Sequence, residues 1–376
     1  RMQVGARVVG KSGKELKAAM QKPTLCAEEF RGCDADENFL GEGSMCVGVY
    51  AYRWRSAEVA VKIVGVDPDS RGGFVREIRI LSELRHPNVV LLYGTAAPLT
   101  SRLYVVMEKA VHGALDKLLF ANFQYCVNDE ERQKVLDERA ARQLKAFGTR
   151  DALPGCTPVM LRIAHELACA LAYLHSQGVA HNDIKPQNVL ITRGGEVRLT
   201  DFGLAKSQAS ASSVNHNARI GTSSYMAPER LDGRTTTKDQ RPDIYSFGIV
   251  LATLLTGEQP VPAQVELNGP AAIARHVCDG NNRPDLSGCE GGGEAGMGTL
   301  IPGLVRLIEA AWHRDADRRP PAAALRNVFH NMRHSGAQDF SSLSGEEERL
   351  QREQEAHAQL EREREMAAQH RVQDVE

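Results

Sequence analysis

Residues 179–206 read VAHNDIKPQNVLITRGGEVRLTDFGLAK, and this stretch decides how the rest of the chain is interpreted. It places Asp183, Lys185 and Asn188 in one short loop, and a second carboxylate, Asp201, follows an apolar hairpin. Phosphoryl transfer needs a carboxylate that orients and deprotonates a hydroxyl, oxygen ligands for Mg²⁺, and a cation beside the phosphoryl oxygens. The ordered set therefore favours this chemistry over turn residues that only satisfy backbone donors.

The same string resembles the catalytic loop and DFG segment of eukaryotic protein kinases, H-x-D-x-K-x-x-N followed by D-F-G. The resemblance implies that Asp183 is the base for the acceptor hydroxyl and that Lys185 contacts the γ-phosphoryl group. It implies that Asn188 and Asp201 bind Mg²⁺, with Mn²⁺ as an alternative ion. The spelling Asp-x-Lys-x-x-Asn is similar to that of serine/threonine kinases, which implies transfer to Ser and Thr. His181 is expected to be a buried scaffold residue.

Residues 37–67 predict three strands with a glycine-rich connection, FLGEGSMCVGVYAYRWRSAEVAVKIV. Strand alternation directs Lys62 into a nucleotide cleft, and by the resemblance it pairs with the α- and β-phosphates of ATP. Cys46 replaces the family's third loop glycine, so the loop either closes differently over the phosphates or is sensitive to thiol chemistry. The resemblance assigns these further residues to the nucleotide site: Leu40, Gly41, Glu42, Gly43, Ser44, Val49 and Ala60.

Residues 72–86 carry apolar residues at 74, 78, 81 and 84, a spacing that predicts a helix. Glu77 lies off that stripe. It matches the helix-C glutamate that pairs with Lys62, an interpretation preferred over a solvated helix charge.

Two further strands are predicted in VVLLYG and LYVVMEKA. By the resemblance Met107 is the gatekeeper, and the backbone of Glu108 and Ala110 meets the adenine edge. Leu190, in the strand after the catalytic loop, belongs to the same nucleotide site. A Met in a strand is also ordinary core, which is compatible with both interpretations.

The second half of the chain predicts a mainly helical lobe. PVMLRIAHELACALAYLHSQ (158–177) is an amphipathic helix that would support the catalytic loop. DIYSFGIVLATLLTGEQP (243–260) is a buried helix whose Asp243, by the resemblance, braces that loop. Glu229 and Arg319 match a buried ion pair of the family. His165 and His175 are interpreted as packing or surface histidines rather than metal ligands.

Asn182 stands where most regulated kinases have an Arg that pairs with a phosphate on the activation segment. We therefore predict that activity depends little on such a latch. In the segment 207–229, Thr222 matches the threonine that contacts the catalytic Asp. The serines of this segment are either a flexible linker or autophosphorylation sites, the candidates being Ser207, Ser210, Ser212 and Ser213.

The expected architecture is an α+β bilobal kinase fold, with a five-stranded antiparallel sheet and helix C in the N-lobe and a mainly helical C-lobe. The domain limits are an extension of uncertain order (1–36), a kinase domain (37–332; N-lobe 37–110, C-lobe 111–332), an insertion (about 121–157) and a charged helical or disordered tail (333–376). The insertion is expected to be solvated. A docking surface for a partner protein is an alternative role for the insertion and for the C-terminal tail.

Composition narrows the classes of function. A formal charge of −2 argues against a generic nucleic-acid binder, and the absence of an apolar run of about 18 residues argues against a membrane span. Eight scattered cysteines favour reduced thiols and a cytoplasmic location, with the nucleus as an alternative. Because the sequence begins with Arg1, a targeting segment upstream stays open.

Taken together, the sequence predicts transfer of the γ-phosphoryl group of MgATP to Ser and Thr hydroxyls of protein substrates. Three stretches look most like the tyrosine-kinase-like group of Raf and plant mixed-lineage relatives: RWRSAEVAVKIV, ELRHPNVVLLYG and IYSFGIVL. The alternative is a pseudokinase scaffold that binds nucleotide or partners without transfer, which Cys46 and Asn182 favour slightly. A small-molecule kinase of related fold fits less well, because GTSSYMAPE resembles a platform for protein substrates.

Overall fold

The N-terminal part of the chain forms one antiparallel sheet. The structure, a computed structural model, describes residues 25–30, 32–41, 47–65, 71–96, 102–120, 129–149, 153–154, 157–207, 223–234, 239–287 and 303–334. The strands of the sheet are β1 (Phe39–Gly41), β2 (Gly48–Trp54), β3 (Ala57–Gly65), β4 (Leu92–Ala96) and β5 (Arg102–Glu108). Their order is β1-β2-β3-β5-β4, and all neighbours are antiparallel. The predicted five-stranded sheet is confirmed.

One face of this sheet is covered by the segment that precedes it. Phe30 is fully buried in an aromatic cluster with Tyr52, Trp54 and Tyr104. The carboxylate of Glu29 accepts a hydrogen bond from the Trp54 indole, which holds the 3₁₀ turn Ala27–Phe30 against β2. Part of the extension for which uncertain order was predicted therefore packs on the sheet, while residues 1–24 lie outside the described part.

The other side of the sheet faces the helix α1 (Arg71–Glu83). Ile78, Leu81 and Leu84, three of the four positions in the predicted apolar stripe, are buried. The side chain of Phe74, the fourth, is not described. Burial of this stripe fixes the rotation of α1 about its axis and so decides where its polar residues point.

The C-terminal lobe is mainly helical. Its helices are α2 (Asp116–Leu119), α3 (Asp129–Phe147), α4 (Pro158–Ser176), α5 (Pro228–Leu231), α6 (Arg241–Thr256), α7 (Ala263–Leu267), α8 (Pro270–Ala274), α9 (Leu304–Ala311) and α10 (Ala322–His334). A π-helical turn, Arg275–Asp279, follows α8. Every residue of α6 from Pro242 to Leu255 is buried, so this helix lies in the core of the lobe.

Helix α4 shows why its sequence forms a helix at that place. Thr157 caps it by accepting a hydrogen bond from Met160 N (3.0 Å), and Pro158 occupies the first turn, where its missing N–H costs nothing. The apolar side of the predicted amphipathic helix is buried, at Leu161, Ala164, Leu167, Ala168, Leu171 and Leu174.

The insertion is more firmly attached than its charged sequence suggested. It contains α3, and the fully buried Gln143 of this helix donates to the carbonyls of Leu118 and Leu153, both at 2.8 Å. Gln143 Oε1 also accepts from Leu153 N (3.1 Å). The outer face of α3 is exposed, as expected of a solvated insertion, but one side is tied into the lobe.

Short strands between the lobes flank the loop that contains Asp183, Lys185 and Asn188. β6 (Gly113–Ala114), β8 (Val189–Ile191) and β9 (Val197–Leu199) form one small sheet, and β7 (Val179–Ala180) pairs with β10 (Lys206–Ser207). The α+β bilobal fold is thus confirmed. Within the described ranges, no helix combines the length and apolarity that crossing a bilayer requires.

Candidate active site

Lys62 and Glu77 form a buried ion pair at the back of the cleft. Strand β3 presents Lys62 and helix α1 presents Glu77, and Lys62 Nζ lies 2.7 Å from Glu77 Oε1 and 2.9 Å from Oε2. Both side chains are about 95% buried, at 4% and 5% exposure. Burial raises the pKa of Glu77, and the Lys62 ammonium opposes that shift. The two side chains predicted to pair are therefore in contact.

Asp201 lies on the open side of this pair. Its Oδ1 is 3.5 Å from Lys62 Nζ, although the two residues are far apart in the chain. The backbone of Asp201 is left-handed, with φ 63° and ψ 73°. Such a conformation is uncommon for a residue other than glycine, and here the turn is held by the burial of the next residue, Phe202.

The catalytic-loop residues form a second cluster around Asp183. Lys185 Nζ lies 2.8 Å from Asp183 Oδ2, and Asn188 Nδ2 donates to the same oxygen at 2.9 Å. Asn188 Nδ2 also donates to the Asp183 carbonyl at 2.7 Å. Both contacts are to Oδ2, and an ionised carboxylate can also accept hydrogen bonds at its second oxygen, Oδ1.

A backbone contact joins the two clusters. Thr200 donates its N–H to the carbonyl of Asn188 (3.0 Å), so Asn188 and the neighbouring Asp201 meet at the same place. The contacts Lys62–Asp201, Thr200–Asn188 and Asn188–Asp183 therefore link the predicted residues into one site between the lobes.

His181 is fixed as a neutral scaffold residue. Its Nε2 lies 3.0 Å from the Thr200 carbonyl, which requires Nε2–H as the donor, and its Nδ1 accepts from Asp183 N (3.2 Å). Burial lowers the pKa of His181, which agrees with a neutral ring whose Nδ1 accepts a hydrogen bond and so carries no proton. The ring packs edge-on against Phe202, with 4.8 Å between centroids.

Asp243 holds the backbone of the loop from below. Its carboxylate accepts from His181 N (2.8 Å) and Asn182 N (2.7 Å), and His175 Nε2 lies 3.0 Å away. Burial by itself raises the pKa of Asp243, but the hydrogen bond from His175 and the backbone donors outweigh it and lower that pKa overall. His175 is thus a packing histidine with a defined partner.

His165 has partners that the sequence analysis overlooked. Cys169, one helical turn away on α4, lies 3.5 Å from His165 Nε2, and Arg333 of α10 lies 2.9 Å from Nδ1. The Cys at the i+4 position was readable from the sequence. The guanidinium contact makes a cation at His165 unfavourable, which agrees with the interpretation of a packing histidine.

The nucleotide side of the cleft is formed by strands of the sheet. Ala60 pairs with Met107 between β3 and β5, and Val49 on β2 pairs with Lys62. Met107 is buried, while Glu108, Ala110 and Leu190 are half-buried at the junction of the lobes. Leu40 and Gly41 lie on β1, whereas Glu42, Gly43, Ser44 and Cys46 lie outside the described residues.

Arg198 is a residue of this region that the motif analysis missed. Its Nε lies 3.0 and 3.1 Å from the two carboxylate oxygens of Glu108. Arg198 is on β9, between two buried residues of the hairpin that follows the catalytic loop. Strand alternation alone shows that it points away from Val197 and Leu199, but not that it reaches Glu108.

The donor set suits a hard cation. Asn188 and Asp201 offer oxygen ligands, and the amide orientation that directs Nδ2 of Asn188 to Asp183 leaves Oδ1 as its ligand atom. In the described ranges, no group of three His, Cys, Asp or Glu side chains could hold a metal by itself. Mg²⁺ bound beside a nucleotide usually takes one or two protein oxygen ligands and completes its shell with phosphate and water.

The segment that ends in APE is anchored at two further points. Arg319 is fully buried at its side chain and contacts Glu229 through NH1 (2.6 Å) and NH2 (2.8 Å), so the predicted pair forms. Arg230, next in the chain, donates from NH1 to the carbonyl (2.7 Å) and Oδ1 (2.9 Å) of Asn182. Thr222 and the serines at 210, 212 and 213 lie outside the described part, as does the side chain of Ser207.

Comparison with known proteins agrees with this geometry. The profile described as "Protein kinase domain" matches residues 35–328. The "Putative serine/threonine-protein kinase/receptor R826" of Acanthamoeba polyphaga mimivirus is 30% identical over 306 residues, covering 80% of this chain and 16% of the relative. "Serine/threonine-protein kinase CTR1" of Arabidopsis thaliana is 28% identical over 307 residues, covering 79% of this chain and 31% of that protein. The chain thus spans a minor part of each of these relatives' length.

Proposed function

This chain belongs to the protein kinase family, and we propose that it transfers the γ-phosphoryl group of ATP to serine and threonine hydroxyls of protein substrates. The observation that carries the proposal is the meeting of Lys62, Asp183, Asn188 and Asp201 in one cleft. The Ser/Thr choice is supported by the Asp-x-Lys-x-x-Asn spelling and by the names of the relatives.

We assign the chemical step to Asp183 and Lys185. Asp183 Oδ2 is held by Lys185 and Asn188, so Oδ1 would accept the proton of the acceptor hydroxyl. The hydroxyl oxygen would attack the γ-phosphorus while the bond from that phosphorus to the β–γ bridging oxygen breaks and ADP leaves. The Lys185 ammonium, already beside the carboxylate, would neutralise charge that develops on the phosphoryl oxygens. Positioning of the two substrates is the main contribution expected of such a site.

Lys62 would position the α- and β-phosphates, and Glu77 would hold the Lys62 ammonium in place at the back of the cleft. Asn188 and Asp201 would hold Mg²⁺, or Mn²⁺ as an alternative. When bound, such an ion neutralises phosphate charge and aligns the triphosphate. The adenine is assigned to the surface between the lobes, against the backbone of Glu108 and Ala110 and the side chains of Leu40, Val49, Ala60, Met107 and Leu190.

No observation on the described residues favours the alternative of a scaffold without transfer. The residues that phosphoryl transfer requires are present, and Lys62, Glu77 and Asp201 are in mutual contact distance. We place the chain in the tyrosine-kinase-like group because of the three stretches named above and the relation to CTR1. Further proposals are docking of a partner on the exposed face of α3 and a cytoplasmic location; the cysteines that the structure describes are free.

The test compares phosphate transfer by the wild type and by Asp183→Asn, using radiolabelled ATP with Mg²⁺ and a generic basic protein. Wild type should label serine and threonine, and the variant should lose nearly all transfer while keeping its unfolding temperature. The matched control is Asp34→Asn, an exposed carboxylate that pairs with Arg102 on the surface. Equal background counts from wild type and Asp183→Asn would overturn the proposal and favour the scaffold.

A further inference from the structure

We propose that Arg230 is a positioning residue that holds the catalytic loop in register from the side of the APE segment, in place of a phosphate-dependent latch. The proposal rests on the kinase function above. Arg230 NH1 donates hydrogen bonds to both the carbonyl and the side chain of Asn182, a contact that none of the sequence motifs predicts.

The position of that contact matters because Asn182 is the residue before Asp183. The peptide unit between them carries the Asn182 carbonyl and the Asp183 N–H. Arg230 binds the carbonyl at 2.7 Å, and His181 Nδ1 accepts from the N–H at 3.2 Å. The orientation of this one peptide sets the direction in which Asp183 leaves the backbone, and both of its polar ends are held.

Asn182 is suited to such a junction. Its φ of 69° lies in the left-handed region, which Asn tolerates better than most residues. Its N–H is bound by Asp243 at 2.7 Å, and its Nδ2 donates to the carbonyls of Ala180 and Leu204, both at 3.2 Å. The side-chain oxygen that remains is the one that Arg230 contacts. Asn182 thus joins the catalytic loop to the DFG turn, to α6 and to α5.

The charge of Arg230 is placed to act without a salt bridge. Burial lowers the pKa of Arg230, and the carboxylates of Asp243, Asp183 and Glu229 oppose that shift from a distance. A guanidinium nevertheless stays protonated in proteins. Within the described residues, none of these carboxylates lies within 4 Å of Arg230, so its direct contacts are the two oxygens of Asn182.

An Arg at position 182, the residue common in phosphate-latched kinases, would bring a second guanidinium next to Arg230. Two buried like charges without a shared anion repel each other. Asn182 and Arg230 are therefore a matched pair. Asn182 is neutral, unlike an Arg at that position, which would need a phosphate to pair with. The positive charge next to the loop comes instead from Arg230 of α5. The carbonyl oxygen and the side-chain oxygen of Asn182 accept the hydrogen bonds of Arg230, so this contact needs no phosphate.

The experiment measures steady-state transfer for Arg230→Met, Arg230→Lys, Asn182→Gly and the double variant Arg230→Met/Asn182→Gly. We expect Arg230→Met to lower kcat roughly 10- to 100-fold, as misplacement of a reacting group does. The KM for ATP should stay within about twofold, because Arg230 does not line the nucleotide site. Arg230→Lys should recover part of the loss, since an ammonium can still donate to the Asn182 carbonyl.

The double variant separates a specific link from general damage. If Arg230 acts through Asn182, the combined loss of kcat in the double variant should be smaller than the product of the two single losses, because both single variants remove the Arg230–Oδ1 bond. Glycine at 182 keeps the carbonyl that Arg230 also contacts, so Asn182→Gly should be the milder of the two single variants. Glycine is chosen at 182 because it keeps the positive φ without strain. Arg234→Met is the matched control, an exposed arginine of the same segment that pairs with Asp232. It should have wild-type kcat.

Three results would overturn the inference: an unchanged kcat in Arg230→Met, additive losses in the double variant, or a loss confined to the unfolding temperature. Should Arg230→Met fail to fold, Arg230→Gln decides instead, with a fall in kcat supporting the link and an unchanged kcat opposing it. The proposed function fails separately, since in that case the wild type itself shows no transfer that Asp183→Asn removes.

Discussion

Lys62 Nζ contacts both carboxylate oxygens of Glu77, at 2.7 and 2.9 Å, so strand β3 and helix α1 are joined by a buried bidentate ion pair. The ammonium is directed from this pair toward Asp201, 3.5 Å away. Any change in the distance between β3 and α1 would therefore also move the Lys62 ammonium.

Glu77→Gln removes the charge of the pair and keeps the size of the side chain. The Lys62 ammonium would then be drawn toward Asp201 and away from its position for the phosphates. Breaking a buried pair on one side costs about 3–5 kcal/mol, part of which falls on catalysis. We expect kcat/KM for ATP to fall by roughly 30-fold or more.

The control for this variant lies on the same helix. Glu83→Gln removes an exposed carboxylate, 3.8 Å from Arg79, and should leave kcat/KM unchanged. A similar loss in both variants would mean that the helix as a whole was disturbed and would contradict a specific role for Glu77.

The hinge between the lobes gives a second prediction. Arg198 Nε binds the carboxylate of Glu108, whose backbone is proposed to meet the adenine. Arg198→Met should loosen that segment and raise the KM for ATP about 2- to 5-fold, the range expected of a partly exposed ion pair. The kcat should stay near the wild-type value. Arg193→Met, at an exposed position of the same hairpin, is the control, and an equal rise in KM there would contradict the assignment.

Site residues that belong to a short sequence motif could be predicted, because the order and spacing of residues within the motif indicate their roles. Lys62, Asp183, Asn188 and Asp201 each stand in a short string whose order implies their neighbours. The stripe of α4 was likewise predictable, because a helical period states which side is buried. These predictions needed no knowledge of how distant segments approach one another.

Three contacts that the motifs did not reveal are long-range. Arg198 meets Glu108 across 90 residues, and Arg230 meets Asn182 across 48. Phe30 enters an aromatic cluster built from β2 and β5, although its own segment has no period. Spacing within one segment cannot encode such partners, since they depend on where the fold places two independent elements.

The insertion provides a third prediction, which concerns stability. Gln143 is fully buried and satisfies two carbonyls and one N–H of Leu118 and Leu153. Gln143→Leu would leave these backbone groups without partners, at a cost of about 1–3 kcal/mol in the free energy of unfolding. Gln133→Leu, on the exposed face of the same helix, should change it by less than about 0.5 kcal/mol. Urea unfolding of both variants makes the comparison, and equal effects would contradict an anchoring role for Gln143.

The last prediction concerns pH and follows from His165. Burial, followed by the charge of Arg333 and the neighbouring His330 and His334, lowers the pKa of His165 to about 4, against 6.5 for the ordinary group. The Arg333 guanidinium lies 2.9 Å from Nδ1, so a proton on that nitrogen would remove its acceptor.

A histidine with a lowered pKa binds fewer protons when folded than when unfolded. Its stabilising effect is therefore fully present above pH 6.5 and is lost as the pH falls toward 4. The buried His181, whose pKa is also lowered, acts in the same direction.

We expect Tm to fall when the pH is lowered from 7.5 to 5. His165→Gln, whose amide oxygen can still accept a hydrogen bond from Arg333, should reduce that fall by about 2 °C. Arg333→Met should reduce it as well, because it removes a charge that lowers the pKa of His165. Thermal unfolding curves of the three proteins at several pH values provide the measurement, and parallel curves for wild type and His165→Gln would contradict the prediction.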